Sequence, residues 1–313
     1  MSEERTMLAQ TVRDLVAKHA GPEAVRTAMA SDLGYDEALW TMLCEQVGVA
    51  ALVVPEELGG AGGELADAAA VMTELGRALV PTPLLGTTLA ELALLAADTP
   101  DGDALEQLAA GSVIGTVVFD PDYVVNGDVA EIVVAVENGQ LQRWTGFDTE
   151  PLTSMDPTRR LARLRATDTA PLGTDPGLAD TALLLLAAEQ IGAATRALEL
   201  TVEYTKERVQ FGRPIGSFQA LKHRMADLYV TVQTAGAVVD ECIGNPAPST
   251  AALAHVMATE AFRDVVGEAV HMHGGIAITA EHDIQLYFKR AHASAQLLGP
   301  PQEHLRRLES EVF

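Results

Sequence analysis

The N-terminal third of the chain has apolar residues at helical spacing, interrupted by short breaks. Two stripes with steps of three and four residues mark the helices: Val12, Leu15 and Val16 in the first, and Leu39, Met42, Leu43 and Val47 in the second. Pro55 and the pair Gly59-Gly60 predict a loop, and a further helix is predicted over 64–77. Pro81 and Pro83 then interrupt the pattern, so this part is predicted to be a helical domain.

Short β-branched segments replace the helical pattern in the middle of the chain. The runs 113–119 and 131–136 predict two strands, and 159–165 is predicted as a further one. Asn138-Gly139, which follows the second run, is a strong signal for a two-residue hairpin turn. The middle segment therefore predicts a small β domain.

The helical period returns near residue 175 and continues to the C-terminus. Four long helices are predicted: from Asp175, with Pro176 at the first helical position, toward Gln210; from Gln219 to Ile243; from a cap at Ser249 or Thr250 to Gly274-Gly275; and from Ala280 to Leu298. Short loops between long helices favour an antiparallel four-helix bundle. The predicted fold class is mainly α, with a helical domain over 1–105, a reduced β domain over 106–172 and a bundle over 173–313.

Composition and charge argue against several classes of function. Hydrophobic residues make up 48% of the 313-residue chain, which is ordinary for a globular protein. The formal net charge of −23 argues against binding to nucleic acid or an anionic membrane surface. The two cysteines, Cys44 and Cys242, form no disulfide framework or metal motif. With neither a signal pattern nor an apolar run long enough to span a membrane, we expect a soluble, cytoplasmic protein without a metal site.

A basic cluster interrupts this acidic chain. Between residues 206 and 224 there are five bases, Lys206, Arg208, Arg213, Lys222 and Arg224, against one acid, Glu207. Guanidinium groups and the free N–H groups at a helix start can hold a phosphate. Cations at a helix C-terminus also simply complement its dipole. The spacing alone leaves both interpretations open.

Three ordered motifs resemble the acyl-CoA dehydrogenase family. The segment Arg208-x-Gln-Phe-Gly-x-Pro-Ile-x-x-Phe-Gln, continuing to Met225-Ala-Asp, is similar to the family signature. Tyr35-Asp-x-x-Leu-Trp, followed by Val54-Pro-Glu-Glu-Leu-Gly-Gly, resembles the family's N-terminal helical domain. His273-Gly-Gly-Ile-Ala-Ile resembles its Gly-Gly-x-Gly segment. The resemblance covers nearly the whole chain and implies the same order of helical domain, β domain and bundle.

The resemblance implies FAD as the cofactor, bound at a subunit interface. Carried over by position, Arg208 meets the pyrophosphate, and Gln210 and Phe211 line the ribityl and adenine side. Three further residues of the same motif are implied near the adenine: Ile215, Phe218 and Gln219.

The Gly-Gly segment is implied to approach the same FAD through its backbone. Gly274 and Gly275 suit that role because they have no Cβ. His271 stands where the family usually has Gln, so it is either a structural residue or a donor to the cofactor. We interpret His273 as structural.

The sequence differs from the family's motifs at the residues of the catalytic centre. The two β-domain segments that surround the flavin ring and thioester in ordinary members are missing, and the sequence around Trp144 resembles one of them only superficially. Most members carry the catalytic Glu at the position of Gly299, and a minority at the position of Ala182. No catalytic residue is therefore predicted in this chain. Asp180 lies near the second position but on another side of the helix, and Glu189 is interpreted as a packing or interface carboxylate.

This pattern resembles the short subunits of heteromeric acyl-CoA dehydrogenases from bacterial steroid catabolism, which the segment 154–163 also resembles. It implies a tetramer of two short and two full-length chains that dehydrogenates a CoA thioester, with the base supplied by the full-length acyl-CoA dehydrogenase subunit. An electron-transferring flavoprotein is a possible electron acceptor. Two alternatives stay open: a homodimer that uses Glu189 or Asp180 as its base, and a scaffold protein of the family without flavin.

Overall fold

Six helices form the N-terminal part of the computed structural model, which describes residues 2–279 and 281–312. They are α1 (Glu3–His19), α2 (Pro22–Met29), α3 (Glu37–Met42), α4 (Leu65–Arg77), α5 (Leu84–Leu95) and α6 (Gly102–Ala109). A π turn over Leu43–Val47 extends α3, and a 3-10 turn over Glu56–Leu58 lies in the predicted loop. The helix over 64–77 is confirmed as α4. The sequence analysis did not predict α2, α5 and α6.

A five-stranded sheet follows, in the spatial order β1-β3-β4-β5-β2. Its strands are β1 (Gly115–Val118), β2 (Val124–Val125), β3 (Ile132–Glu137), β4 (Gln140–Leu152) and β5 (Leu161–Thr174). β1 pairs with β3 in parallel, and the other pairs are antiparallel. The predicted hairpin is confirmed: Asn138 and Gly139 have φ of 52° and 75°, as a type I′ turn requires. β5 is much longer than the predicted strand over 159–165.

The C-terminal part is helical as predicted. It contains α7 (Leu178–Glu207), α8 (Gln219–Gly244), α9 (Pro248–His273), α10 (Ile284–Ser294) and α11 (Pro301–Val312). The first helix begins two residues later than predicted, since the Asp175 carboxylate accepts from the backbone N–H groups of Gly177 and Leu178 at 3.0 Å. The fourth helix is shorter than predicted, and Ala280, its predicted first residue, lies outside the described residues.

The helix α11 was not predicted, because Gly299-Pro300-Pro301 also ends the preceding helical pattern. The segment therefore both stops one helix and starts the next, with Pro301 as the first residue of α11. The predicted domain limits, after residues 105 and 172, fall within α6 and β5. The division into three domains stays a prediction.

α7 is the central helix of the molecule. By length and composition it could cross a membrane, but 72% of its most apolar window is buried inside the protein. It crosses α4 at very short range: a Cβ on Gly192 would lie 1.9 Å from the carbonyl oxygen of Thr73, and one on Gly76 would lie 2.2 Å from that of Glu189. Glycine at these two positions lets the helix backbones touch. The bundle is thereby fixed against the N-terminal helices.

Candidate functional site

A hairpin between α7 and α8 carries Arg208 and Arg213 of the basic cluster, whose other members lie on the two helices. Its two short strands are β6 (Val209–Gln210) and β7 (Arg213–Pro214). Phe211 and Gly212 form the turn, with φ of 54° and 79°. The Ile215 N–H donates to the Arg208 carbonyl at 2.8 Å, which closes the base of the hairpin. Residues 208–214 of the motif are thus an exposed loop, whereas residues 215–218 are half-buried.

Aromatic side chains shape the tip of this hairpin. Phe211 is 92% exposed, an unusual state for a phenylalanine, and its ring meets that of Phe218 edge-on at 6.2 Å. The Arg213 guanidinium lies 4.0 Å from the centre of the Phe218 ring. Ile215 is half-buried, as is Phe218, while Gln210 and Gln219 are exposed. The hairpin therefore presents an apolar and cationic surface that fits another molecule.

The five bases differ in how the chain's own acids neutralise them. Arg224 forms an ion pair with Glu268 at 2.7 Å. Lys206, Arg208, Arg213 and Lys222 are exposed and have no ion-pair partner among the described residues. In a chain of net charge −23, four cations without a carboxylate partner favour the phosphate-binding interpretation.

The Gly-Gly segment lies beside the base of the hairpin. Tyr204, one turn before Arg208, stacks on His273 with ring centres 4.2 Å apart. The Tyr204 hydroxyl also donates to the His273 carbonyl at 3.3 Å. The structure thus brings the end of α7 next to Gly274, at the end of α9. The two motifs that the sequence analysis singled out lie on adjacent helix ends.

Three residues of the Gly-Gly segment are open to solvent. Gly274, Gly275 and His271 are exposed. Gly274 has φ of 65°, and a Cβ on either glycine would meet no atom of this chain within 4 Å. Any close approach that requires these glycines therefore involves a molecule outside this chain.

His273 has the buried position of a structural residue. The ring is buried, and its Nδ1 lies 2.7 Å from the Ala269 carbonyl oxygen. Burial lowers the pKa of His273, which keeps the imidazole neutral.

Ser217 is a site feature that the sequence analysis missed. Its hydroxyl is buried and has no hydrogen-bond partner among the described residues. It lies within the motif, between Ile215 and Phe218, at a position that the family resemblance leaves variable.

The two positions where the family carries its base face one cavity. Ala182 and Gly299 both line a space of about 700 Å³ between α5, the sheet, α7 and α11. Neither residue can accept a proton from a substrate. The cavity wall nearest Gly299 contains Glu303, whose Oε2 lies 3.2 Å from where a Cβ on Gly299 would be.

Glu189 and Asp180, the alternative bases, are both held in ion pairs. Glu189 is buried and accepts hydrogen bonds from Arg159 and Arg290. Arg290 also donates to Asp156 at 2.5 Å, so Glu189 belongs to a buried network that ties the bundle to the loop before β5. The geometry supports the interpretation of Glu189 as a packing carboxylate. Asp180 accepts from Arg307 at 2.7 Å.

Comparison with known protein families decides the identity of the fold. The model of the acyl-CoA dehydrogenase N-terminal domain matches residues 2–111, and that of the C-terminal domain matches residues 179–312. The chain belongs to the acyl-CoA dehydrogenase family. The predicted family, the mainly helical fold class and the FAD cofactor are confirmed at this level.

Two curated relatives are similar over their whole length. The acyl-CoA dehydrogenase IpdE2 of Mycobacterium tuberculosis is 70% identical over 311 residues, 99% of this chain and 98% of that protein. IpdE2 of Mycolicibacterium smegmatis is 66% identical over 313 residues, 100% of both chains.

Two solved structures are similar in fold, and one of them is described as a complex. A variant of the Tcur3481-Tcur3483 steroid ACAD superimposes with a TM-score of 0.91 at 27% identity, over 99% of this chain and 98% of that one. The ChsE4-ChsE5 complex from Mycobacterium tuberculosis matches with a TM-score of 0.90 at 26% identity, over 100% and 98%.

The residues of this acyl-CoA dehydrogenase fit part of an FAD. FAD carries an anionic pyrophosphate and an apolar, hydrogen-bonding adenine. The hairpin supplies the unneutralised cations Arg208 and Arg213 for the former and the exposed ring of Phe211 for the latter. The two β-domain segments that surround the flavin ring in ordinary members are missing from the sequence.

Proposed function

We propose that this chain is the FAD-contacting subunit of a heteromeric acyl-CoA dehydrogenase and that its partner chain carries the catalytic base. One combination of observations carries the proposal. The cofactor hairpin is complete and exposed, whereas Ala182 and Gly299 provide no carboxylate. Removal of a proton next to a thioester carbonyl needs a positioned base. A chain with half of the cofactor site and no carboxylate at either family position needs a second chain to complete it.

Each motif residue has a defined role in this proposal. When bound, FAD supplies the acceptor for the hydride that leaves the β carbon of the thioester. Arg208 binds the pyrophosphate, and Gln210 and Phe211 line the ribityl and adenine side. The remaining members contact the adenine or approach through the backbone: Ile215, Phe218, Gln219, His271, Gly274 and Gly275.

The proposed partner is a full-length acyl-CoA dehydrogenase, in a tetramer of two short and two full-length chains. Similarity to a steroid ACAD and to the ChsE4-ChsE5 complex supports this partner. The same similarity supports a steroid-derived acyl-CoA as the substrate. An electron-transferring flavoprotein as acceptor and a cytoplasmic location complete the proposal.

Co-expression with the full-length dehydrogenase encoded beside this chain tests the proposal. We expect a yellow complex that oxidises CoA thioesters, screened with an artificial electron acceptor. Glu→Gln at the base of the full-length chain should abolish turnover, whereas Asp180→Asn in this chain should leave it within a few-fold of wild type. A thousandfold loss in Asp180→Asn, with flavin content and assembly intact, would show that the base resides in this chain.

A further inference from the structure

Three aromatic rings join the ends of three helices beside the cofactor motifs. Tyr204 belongs to the last turn of α7, His273 is the last residue of α9, and His282 lies just before α10. The Tyr204 ring stacks on His273 with ring centres 4.2 Å apart. The His282 ring meets both of them edge-on, with its centre 4.7 Å from that of His273 and 6.2 Å from that of Tyr204. These three side chains form the ring cluster.

The ring cluster lies where the two cofactor motifs approach each other. Arg208 follows Tyr204 by one helical turn, and Gly274 follows His273 directly, so the stacked pair fixes the distance between the hairpin and the glycine segment. The hydrogen bond from the Tyr204 hydroxyl to the His273 carbonyl adds a second link. A Cβ on Gly274 or Gly275 would meet no atom of this chain within 4 Å, so the two glycines have no close packing of their own. Their position therefore depends on the residues that flank them.

The hydrogen bonds of the ring cluster suit neutral imidazoles. His273 Nδ1 lies 2.7 Å from the Ala269 carbonyl oxygen, which can only accept, so Nδ1 carries the proton and Nε2 a lone pair. This Nε2 is buried and has no hydrogen-bond partner among the described residues, so a proton added there would be a buried donor without an acceptor. His282 Nδ1 accepts from the Ile284 N–H at 3.2 Å, and protonation of Nδ1 would abolish that bond.

The charges around the ring cluster do not compensate a protonated imidazole. Asp283, at the start of α10, and Arg26 of α2 both face His282, but they form an ion pair with each other at 2.8 Å, so their charges largely offset. His273 faces the Tyr204 ring and the second imidazole. Burial lowers the pKa of both histidines, and at His273 the neighbouring His282 lowers it further. A proton on either ring therefore costs free energy in the folded chain.

We infer that the ring cluster positions the glycine segment against the cofactor hairpin, and that it does so only while His273 and His282 are neutral. Tyr204 and His282 are positioning residues, because they act through the helix ends that they join. The inference rests on the proposed function in one respect: the hairpin and the glycine segment hold the same FAD.

The sign of the pH dependence follows from the lowered pKa values of the two histidines. The arrangement is fully stable above the ordinary histidine pKa of about 6.5 and loses stability as the pH falls from there through the lowered values. Flavin retention should therefore decrease on acidification. A direct contact between an exposed His271 and the pyrophosphate would give the opposite sign, because protonation there adds a cation beside an anionic cofactor.

Dialysis of the complex with the full-length dehydrogenase at pH 7 and pH 5 tests this dependence. The wild-type complex should bind FAD roughly tenfold more weakly at pH 5. His282→Phe keeps a ring that cannot take up a proton, so its affinity should change by less than roughly threefold. His292→Phe is the matched control: His292 is also half-buried on α10 and contacts an aromatic ring, that of Phe288 at 4.4 Å, but lies outside the ring cluster. It should behave like wild type, and wild-type pH dependence in His282→Phe would overturn the inference.

Hydrogen exchange tests the stacked pair without flavin. The backbone amides over 274–279 report how firmly the glycine segment is held. Tyr204→Leu removes the stack and should speed their exchange by roughly tenfold, whereas Tyr204→Phe removes only the hydroxyl and should stay within roughly threefold of wild type. Protection in β3 and β4 should be unchanged in both variants, which shows that the chain is folded. Wild-type exchange over 274–279 in Tyr204→Leu would overturn the inference.

Arg208→Ala in the same dialysis separates this inference from the proposed function. If Arg208→Ala loses flavin while His282→Phe keeps the wild-type pH dependence, the hairpin binds FAD and only the role of the ring cluster is wrong. If Arg208→Ala retains flavin like wild type, the proposed role of the hairpin is wrong, and the hydrogen exchange of Tyr204→Leu still decides whether the ring cluster holds the glycine segment.

Discussion

Arg208 is a charged side chain whose partner lies outside this chain. It is exposed at the end of α7 and has no ion pair among the described residues. A charge-assisted hydrogen bond to a phosphate contributes about 1.5–3 kcal/mol. Arg208→Ala should therefore lower the FAD affinity of the assembled complex by roughly tenfold to a hundredfold, measured as bound flavin after dialysis.

Arg306→Ala is the matched control for this variant, because Arg306 is also exposed but belongs to α11. It should leave the flavin content unchanged. Equal flavin content in the Arg208→Ala complex, with assembly intact, would mean that Arg208 only complements the helix dipole.

Glu91 is a buried carboxyl without a partner. It lies fully inside the protein on α5, and neither oxygen has a hydrogen bond within the described parts of the chain. Burial raises the pKa of Glu91 well above its usual range. The folded state thus keeps a proton that the unfolded chain releases above pH ~4.3. Stability should consequently fall as the pH rises from this value through the raised pKa.

Glu91→Leu removes this penalty. We expect the variant to be more stable than wild type at pH 7 by about 1–3 kcal/mol, with a smaller gain at pH 5. Urea unfolding at several pH values measures the difference. Glu106→Leu, at an exposed position of α6, should show no such pH-dependent gain. A gain of equal size at both pH values would contradict the raised pKa.

At the scale of elements, the crossing of α4 and α7 depends on glycine. A Cβ at residue 192 would clash with the Thr73 backbone, so Gly192→Ala should push the two helices apart and cost about 1–3 kcal/mol. Gly267, on an exposed face of α9, has no atom within 4 Å of an added Cβ. Gly267→Ala should instead stabilise the helix by about 0.5–1 kcal/mol. Thermal or urea unfolding measures the change in unfolding free energy, which should have opposite signs for the two variants. Destabilisation by both variants would contradict the close packing at residue 192.

The elements that could be predicted are those whose signal is local. The turn at Asn138-Gly139 requires left-handed backbone, and the long amphipathic helices have caps and breaks in the sequence. α5 was not predicted because eight of its twelve residues are apolar and ten are buried, so no clear periodicity marks it. Most of β5 was not predicted for the opposite reason: much of its outer part is polar and exposed, and it pairs with β4 over nearly its whole length.

The candidate site, too, could be predicted only where its signal is local in the sequence. The hairpin of Arg208 lies within one continuous motif, so the sequence identifies it. The contact between Tyr204 and His273 joins residues far apart in the chain, and no single-sequence pattern reports it. The burial of Glu189 between Arg159 and Arg290 likewise depends on tertiary packing.

At the scale of the molecule, six of the twelve large apolar residues that are exposed in the described part of the chain belong to the elements that carry the cofactor motifs. They lie on the hairpin, on α8 and on the segment after α9: Val209, Phe211, Tyr229, Val230, Ile276 and Ile278. A soluble protein rarely leaves so many large apolar side chains in water without a partner. The hairpin and α8 also carry cations that have no ion-pair partner among the described residues, so one partner could cover the apolar residues and complete the cofactor site together.

Flavin retention should therefore depend on assembly. The isolated chain should bind FAD weakly or not at all, because it offers the exposed hairpin and glycine segment but no enclosing wall and no set of residues for the flavin ring. Flavin absorbance after desalting measures this, with circular dichroism as the check that the isolated chain is folded. The complex with the full-length dehydrogenase should retain FAD under the same desalting.

Phe211→Ser separates the apolar contribution of the hairpin tip from the contribution of its charges. The variant removes the apolar contact but leaves every cation in place. If the ring packs against the partner or the cofactor, the variant complex should lose flavin or dissociate on size-exclusion chromatography. The fold of the isolated chain should stay unchanged, because Phe211 is almost fully solvated there. Stoichiometric FAD in a verified homomer of the wild-type chain would contradict the requirement for a second kind of subunit. In that case the enclosing wall would have to come from another copy of this chain, and the base from a carboxylate at another position, because residues 182 and 299 are Ala and Gly.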